Sequence, residues 1–233
     1  MIQMISICVP TYNRFRMTIE CFEQILYDDR VGEVVIVDDA STDGSYQKLV
    51  EHFKYEAKVK MYRNETNRDC YQNKKTAIEL ASNNWCCLWD SDNIFSTGYL
   101  DEIYKYGWNE NIIYTPSFAA PHFDFSNFGG LLVTSKNITE HIHRPMFEVC
   151  LNACNYFVNR KMYLEVWDGS IDPITSDSIY FAYKWLESGK AIYIVSDLTY
   201  LHRVHPGSHY QNNVHRTKEG FHENILQKLK ELR

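Results

Sequence analysis

The chain has 233 residues, of which 45% are hydrophobic and 23% charged, and these ordinary values exclude a disordered or coiled-coil protein. Its net charge of −6 comes without a long run of Lys or Arg, so no nucleic-acid partner and no anionic-membrane binding are expected. The seven cysteines are odd in number and include the adjacent Cys86 and Cys87, which argues against a disulfide framework and favours a reducing, cytoplasmic compartment. No apolar stretch reaches the roughly 20 residues that span a bilayer, and we expect no transmembrane segment and no export signal.

The first half of the chain alternates β-branched runs with helical patterns, which predicts a βαβ series and a parallel sheet. Strands are predicted at 5–9, 34–37, 59–62 and 85–89. The apolar spacing predicts three intervening helices, built on Phe22, Ile25 and Leu26, on Tyr46, Leu49, Val50 and Phe53, and on the segment 71–83. Ser41 or Thr42 is the expected N-cap of the second helix.

The second half of the chain is less regular. A helix is predicted at 96–106, a short strand at 112–114, and then a loose stretch from 116 to 145. Beyond it we expect a helix after Asp177, a strand at 192–195 and a closing helix. Several residues of this half can form ordinary core or line a binding surface: Phe118, Phe123, Phe125, Phe128, Asn155, Tyr156 and Phe157. No repeat or linker marks a boundary, so we predict a single domain over 1–233.

Polar residues cluster where three of the predicted strands end. They are Pro10-Thr11-Tyr12 after the first strand, Asp38-Asp39 after the second, and Asp90-Ser91-Asp92 after the fourth. Ligands of open α/β sheets collect at the carboxyl ends of the strands. The three segments are therefore predicted to form one pocket.

Asp90 and Asp92 are two residues apart, so both carboxylates leave the same face of an extended segment. A divalent Mg or Mn ion takes few protein carboxylates and completes its coordination with water and substrate phosphates, so this pair suits an ion beside a diphosphate. A solvated acidic turn is the alternative. A calcium EF-hand does not fit, because its sixth position would be Phe95 instead of glycine and its twelfth Asp101 instead of glutamate.

Asp38 and Asp39 lie in the turn that leads from the second strand into a helix. Two acids at this place can simply favour the turn and the helix dipole. Alternatively, one of them accepts a hydrogen bond from a base N–H, while Tyr12 stacks on that base and the backbone near Pro10 and Thr11 approaches a ribose. The residues alone leave both interpretations open.

Three ordered segments resemble the inverting family 2 glycosyltransferases of the GT-A fold. They are Val9-Pro10-Thr11-Tyr12-Asn13-Arg14, Val35-Ile36-Val37-Asp38-Asp39-Ala40-Ser41-Thr42-Asp43-Gly44, and Asn73-Lys74-Lys75-Thr76-Ala77 leading to Leu88-Trp89-Asp90-Ser91-Asp92-Asn93. The resemblance is clear over residues 1 to about 100. It implies an α/β fold with a mostly parallel central sheet and helices on both faces. The nucleotide sugar would bind in the half 1–93, and 94–233 would form an acceptor-facing half with a C-terminal helix.

The same resemblance implies which residues contact the nucleotide sugar: Pro10, Thr11, Tyr12, Arg14, Asp38, Asp39, Lys74, Asp90 and Ser91. Asp38 would support the turn, and Asp90 would reach the ribose or the metal. The family commonly has Ala-Arg-Asn where this chain has Asn73-Lys74-Lys75, and Lys74 can replace the charge of arginine but not its fork.

Two later segments also resemble motifs of the family. Asp177 opens a helix where the family places its catalytic base, with Ser176 in place of the preceding acid. A helix N-cap is the alternative role of Asp177. His205 lies in an Arg-x-His-x-x-Ser segment whose histidine approaches the metal or the diphosphate, and imidazole suits Mn better than Mg. The implied metal ligands are Asp90, Asp92 and His205.

The sequence therefore predicts a metal-dependent inverting glycosyltransferase that uses Mn or Mg and a nucleoside-diphosphate sugar, with UDP as the expected nucleotide. Asp177 would take the proton of a hydroxyl on a glycan, a lipid-linked sugar or a protein. One alternative is a sugar nucleotidyltransferase, although the segment from Pro10 to Arg14 lacks the glycine-rich Arg/Lys loop usual there. The other is a nucleotide-sugar-binding or glycan-binding module without catalysis.

Overall fold

A ten-stranded sheet runs through the computed structural model, which describes residues 2–152, 154–217 and 219–233. Its strands are β1 (Ile5–Thr11), β2 (Val31–Asp38), β3 (Val59–Arg63), β4 (Trp85–Leu88), β5 (Ile94–Phe95), β6 (Ile112–Ala120), β7 (Phe123–Asp124), β8 (Leu132–Val133), β9 (Tyr156–Asn159) and β10 (Ala191–Leu201). Their spatial order is β3-β2-β1-β4-β9-β6-β10-β5, with β7 paired to β6 and β8 to β10.

Six strands share one direction: β1, β2, β3, β4, β6 and β10. The strand β9 is inserted antiparallel between β4 and β6, and the short β5, β7 and β8 are antiparallel to their neighbours. The predicted mostly parallel central sheet is confirmed. The insertion of β9 joins strands from both halves of the chain into one sheet.

The described residues also form ten α-helices: α1 (Phe15–Phe22), α2 (Ser45–His52), α3 (Asp69–Leu80), α4 (Tyr99–Ile103), α5 (Ile138–His141), α6 (Phe147–Leu151), α7 (Arg160–Val166), α8 (Asp177–Glu187), α9 (His209–Asn213) and α10 (Phe221–Glu231). The helix α3 packs on β1, β2 and β4 and against α7 and α8, while α1 packs against α2. Helices thus cover both faces of the sheet, as predicted.

The central strands end together at one edge of the sheet. All seven residues of β1 are buried, and β2 is buried at every residue except Gly32, as expected for strands covered on both faces. In the parallel register Thr11 lies beside Asp38, and Cys8 lies beside Leu88, the last residue of β4. The polar residues that follow these strands are therefore brought to the same edge.

Two strands of the second half are longer than predicted, and one helix is shorter. The strands β6 and β10 extend well past 112–114 and 192–195 because they pair with each other along most of their length. The helix predicted at 96–106 is reduced to α4, because Ser96 donates its hydroxyl to the carbonyl oxygen of Thr199 at 2.6 Å and so belongs with β10.

The helix α2 also corrects two expectations. Gly44, in the left-handed conformation at φ 80°, is its N-cap residue, instead of Ser41 or Thr42. Ser41 instead accepts a hydrogen bond from the backbone N–H of Asn13 at 2.8 Å, which ties this turn to the end of β1. The buried stripe of α2 is narrower than predicted, because Val50 is 40% exposed.

Most of the aromatic side chains considered for a binding surface are core instead. Phe125, Phe128, Tyr156 and Phe157 are all buried, as is Asn155. All seven cysteines are free thiols. Within the described ranges, the helices are too short or too polar for a membrane-crossing segment.

Candidate active site

A cleft of about 400 Å³ opens at the shared edge of β1, β2 and β4. One wall, the strand-end wall, consists of Pro10, Thr11, Tyr12, Asp39 and Asp90. The facing wall, the C-terminal wall, consists of Gly207, His209, Asn212, Asn213 and Arg216. The structure thus brings the three predicted segments together and adds a wall from a distant part of the chain.

Asp38 supports the turn after β2 from inside the protein. It is fully buried, its Oδ1 accepts the N–H of Ser41 at 2.9 Å, and Arg63 Nε lies 3.5 Å from the same oxygen. The second oxygen, Oδ2, has no hydrogen-bond partner among the described residues. Asp38 is not among the residues that line the cleft, and it supports the turn, the role that the resemblance implied, while its predicted contact with the nucleotide sugar stays a prediction.

Asp39 is a fixed acceptor in the strand-end wall. It is 3% exposed, and its Oδ1 accepts hydrogen bonds from Asn64 Nδ2 at 2.7 Å and from the N–H of Arg68 at 2.9 Å. Burial raises the pKa of Asp39, although these two hydrogen bonds act in the opposite direction. Both contacts use Oδ1, so Oδ2 is the oxygen available to a ligand, and Tyr12, 41% exposed, offers its ring nearby.

The turn that carries Asp90 is held by Asn155, for which the sequence suggested only a place in the core or on a binding surface. The side-chain oxygen of Asn155 accepts the N–H of Asp90 at 2.8 Å, and the carbonyl oxygen of Asn155 accepts the hydroxyl of Tyr99 at 2.9 Å. Asn155 has a positive φ of 68°, a conformation in which Asn is enriched. Because Asn155 lies far from the motifs along the chain, no local pattern could have indicated this role.

Lys74 lies between the two acids to which the resemblance assigns different tasks. Its Nζ is 2.7 Å from Asp177 Oδ2 and 3.3 Å from Asp90 Oδ1, and the lysine is 5% exposed. Burial would lower the pKa of Lys74, but the two carboxylates outweigh it and hold the pKa above its usual value. Lys74 therefore keeps its charge. Burial also raises the pKa of Asp90, and Lys74 opposes that shift.

Asp92 is the most strongly paired acid of the site. Its Oδ2 lies 3.1 Å from Arg14 Nη2 and 3.0 Å from His205 Nε2. Burial alone would raise the pKa of Asp92, but the hydrogen bond from His205 and the charge of Arg14 hold it below its usual value. The guanidinium of Arg203 also donates to the carbonyl oxygen of Asp92. Arg203 belongs to the segment of the resemblance that contains His205, so this contact had a signal in the sequence.

Ser91 lies inside the protein, between the two acids of this segment. It is fully buried, and its hydroxyl is 3.5 Å from Arg14 Nη1. Ser91 is not among the residues that line the cleft, and its hydroxyl supports Arg14, while its predicted contact with the donor stays a prediction. The burial follows from the sharp turn after β4, which directs Asp90 toward the cleft.

The residues fit a divalent ion that takes part of its coordination from a substrate. Across the part of the chain that the structure describes, no three His, Cys, Asp or Glu side chains form a ready metal cluster. Asp92 Oδ2 and His205 Nε2 are already adjacent, and Asp90 lines the cleft beside them. Carboxylates with an open side are the donor set that Mg and Mn take beside phosphates.

The hydrogen bonds of His205 set a condition on its role as a ligand. The N–H of Gly207 donates to His205 Nδ1 at 3.1 Å, so in the neutral ring the proton sits on Nε2 and is donated to Asp92. A neutral imidazole cannot accept at Nδ1 and bind a metal through Nε2 at once. His205 can therefore become a ligand only after Gly207 releases Nδ1.

Asp177 is the first residue of α8, and its side chain points away from the helix it opens. Its Oδ2 accepts from Lys74 and lies 3.7 Å from the thiol of Cys70, which lines the cleft. Ser176 occupies the N-cap position without a side-chain capping bond, and its hydroxyl lies 3.2 Å from His222 Nδ1. Asp177 therefore contacts Lys74 and Cys70, and these three residues are called the cleft floor below. The side chain of Asp177 does not cap the helix.

The C-terminal wall is attached to the rest of the protein by polar contacts across the cleft. Arg216 binds Asp69 through two parallel hydrogen bonds of 2.8 and 3.1 Å, and these hold the pKa of Asp69 below its usual value. Arg14 donates to the carbonyl oxygen of Gly207 at 3.0 Å. These contacts join residues far apart in the chain, which is why the sequence did not reveal them.

The fold and the site together define a class of α/β proteins with a polar cleft at the strand ends, and comparison with known proteins gives the family. Residues 6–164 match the model of glycosyl transferase family 2, and the chain belongs to this family. It is 29% identical over 106 residues to the glycosyltransferase GlyG of Streptococcus pneumoniae, covering 45% of this chain and 35% of that protein. The abequosyltransferase RfbV of Salmonella typhimurium is 29% identical over 107 residues, or 44% and 32% of the two chains. The chain thus spans about a third of the length of these curated relatives.

Solved structures show the same GT-A fold. Staphylococcus aureus TarS (residues 1–349) in complex with UDP-GlcNAc has a TM-score of 0.69 at 18% identity, covering 97% of this chain and 71% of that one. The mannosyltransferase PcManGT from Pyrobaculum calidifontis, in complex with GDP-Man and Mn²⁺, has a TM-score of 0.62 at 17% identity, with 97% and 68% covered. At these identities the likeness concerns the fold alone.

Proposed function

We propose that this protein transfers a sugar from a nucleoside-diphosphate sugar to an acceptor hydroxyl with inversion at the anomeric carbon. The observation that carries the proposal is the chain of contacts from Asp177 through Lys74 to Asp90. These contacts bring Asp177 close to the strand-end carboxylate Asp90, which supports a base beside the donor site. Membership of family 2 supports this reaction over the sugar nucleotidyltransferase alternative.

The strand-end wall would bind the donor nucleotide. A base stacked on Tyr12 would present its N–H to the free oxygen of Asp39, and the N3–H of uracil meets a carboxylate acceptor in this way. Pro10 and Thr11 would approach the ribose through the backbone. UDP-GlcNAc in TarS and GDP-Man in PcManGT support a nucleotide-sugar donor. We propose UDP as its nucleotide, with the uracil N3–H donating to the free oxygen of Asp39.

Asp92 and Asp90 would hold a Mn or Mg ion, together with His205 once Gly207 releases its Nδ1. The Mn²⁺ in PcManGT supports this choice of cofactor. The bound ion would offset the negative charge that grows on the departing diphosphate. Arg14 already pairs with Asp92, so its guanidinium is placed beside the same group.

Asp177 would accept the proton of the acceptor hydroxyl as that oxygen attacks the sugar. The ion pair with Lys74 orients its carboxylate, and its other neighbour, Cys70, lines the cleft. General-base catalysis of this kind contributes about 10²–10⁴-fold to the rate. The acceptor would be a glycan, a lipid-linked sugar or a protein that approaches from the half 94–233. The free thiols fit a reducing, cytoplasmic setting.

A panel of nucleotide sugars tests the proposal, with Mn or Mg present and released nucleoside diphosphate as the signal. We expect release from a UDP sugar that depends on the metal and increases with a suitable acceptor. Tight donor binding without any release would favour the non-catalytic binding module. Formation of a sugar nucleotide from a nucleoside triphosphate and a sugar phosphate would favour a nucleotidyltransferase.

A further inference from the structure

Lys74 is a buried cation shared unequally by two acids. It sits on α3 and is 5% exposed, and its contact with Asp177 is shorter than its contact with Asp90, at 2.7 against 3.3 Å. The side chain of Asp177 is 10% exposed, whereas that of Asp90 is 28% exposed and lines the cleft. Of the two partners of Lys74, Asp90 is therefore the one that an entering cation can reach.

A divalent ion and an ammonium group make opposing demands on the same carboxylate. Two positive charges within a few ångströms repel each other by an energy that is large wherever water is partly excluded. An ion that binds Asp90 must therefore displace Lys74 from it. The shorter contact with Asp177 provides a place for Lys74 to remain, so the lysine does not have to leave its buried position.

We propose that Lys74 is a positioning residue that competes with the divalent ion for Asp90 and transfers entirely to Asp177 when the ion binds. This inference rests on the proposed function. Its consequence is that binding of the metal ion with the donor fixes the orientation of Asp177. Lys74 then pairs with Asp177 alone and no longer with Asp90. This arrangement forms only when a metal-bound donor occupies the cleft.

The test measures Mn²⁺ binding in the absence of any nucleotide, for the wild type, Lys74→Met, Asp177→Asn and the double variant. Removing the competing ammonium should tighten Mn²⁺ binding by roughly tenfold in Lys74→Met. Asp177→Asn should weaken it by a similar factor, because Lys74 loses its other partner and turns to Asp90. In the Lys74→Met background the effect of Asp177→Asn should shrink severalfold, because the coupling passes through Lys74. Lys74→Arg, which keeps the charge, is the matched control and should not tighten binding.

Several results would overturn the inference. These are Mn²⁺ affinity unchanged or weaker in Lys74→Met, an equal effect of Asp177→Asn in both backgrounds, or Mn²⁺ binding in neither the wild type nor Lys74→Met. Removing Lys74 leaves buried carboxylates unpaired and can prevent folding. In that case Asp177→Asn, which nearly keeps the shape of the side chain, is the test. Unchanged Mn²⁺ affinity in Asp177→Asn would overturn the inference. Sugar transfer by the wild type is read separately, so a failure here leaves the proposed function standing.

Discussion

The two walls of the cleft are built in opposite ways. The strand-end wall is continuous with the core: Thr11 and Asp39 are each 3% exposed and lie at the ends of strands that are buried at every residue except Gly32. The C-terminal wall consists of the short helix α9 and the turn after it, and Asn212 and Arg216 line the cleft from largely polar surroundings. A rigid wall can position charge for chemistry, whereas a wall held by a few polar contacts can control access. We therefore expect substitutions of charged residues at the strand ends and the cleft floor to have the larger effects, on turnover or on nucleotide recognition, and substitutions on the facing wall to change the donor KM only modestly.

The largest expected effect is at the cleft floor, in Asp177→Asn. Asparagine keeps the shape of the side chain but cannot take a proton, so turnover should fall by about 10²–10⁴-fold. Melting temperature should stay close to that of the wild type, and donor affinity, measured at saturating Mn²⁺, should change little. Asp172→Asn is the matched control, because Asp172 lies in the same region but accepts only a local backbone N–H, that of Ile174. Turnover within a few fold of the wild type in Asp177→Asn would move the base elsewhere.

Asp92→Asn should reduce turnover by about 10²–10³-fold, because it removes the negative charge that holds a divalent ion beside the diphosphate. Chelator should abolish wild-type activity, and Mn or Mg should restore it. Asp101→Asn serves as a control, since Asp101 pairs with Arg30 outside the cleft. Full activity of the wild type in chelator would contradict the metal role, whatever Asp92→Asn does.

Asp39→Asn should weaken UDP binding by at least about tenfold, since a hydrogen bond to a charged group contributes about 1.5–3 kcal/mol and the amide oxygen, held by Asn64 and Arg68, leaves the NH₂ group facing the base. GDP binding, measured by the same calorimetry, should change less. Equal losses for both nucleotides would contradict the uracil contact.

The pH dependence of UDP binding tests the same contact. Because burial raises the pKa of Asp39, its carboxylate protonates at a higher pH than an ordinary aspartate as the pH falls. UDP affinity should therefore begin to fall above the usual aspartate range, and Asp39→Asn should lack this step. A folded-state pKa above the unfolded value means that the charged form opposes folding at higher pH. Asp39→Asn should accordingly keep or raise the melting temperature at neutral pH.

The sequence predicted most of the strand-end wall but missed the C-terminal wall. The strand-end wall was readable because each segment directly follows a strand, so local periodicity and one rule of sheet geometry bring Tyr12, Asp39 and Asp90 together. Asn155 and the pairing of Lys74 with Asp177 could not be read, because they depend on how β9 and α8 meet the first half of the chain. The C-terminal wall was missed for the same reason: Arg216 meets Asp69 across 147 residues of sequence.

The smallest expected effect is at the C-terminal wall, where Arg216 and Asp69 close the cleft. The pair is partly solvated, with side chains 43% and 22% exposed, so breaking it should cost no more than about 1 kcal/mol. Arg216→Ala removes the ion pair that attaches the C-terminal wall to Asp69 of α3. An energy of about 1 kcal/mol corresponds to a rise of about two- to fivefold in the donor KM, and kcat should be nearly unchanged. Asp69→Asn separates two explanations, since it breaks the same pair but leaves the guanidinium in the cleft. If the pair acts by holding the wall in place, both variants raise KM alike. Tighter donor binding in Asp69→Asn would mean instead that Arg216 itself meets the diphosphate and that Asp69 competes with the donor for it.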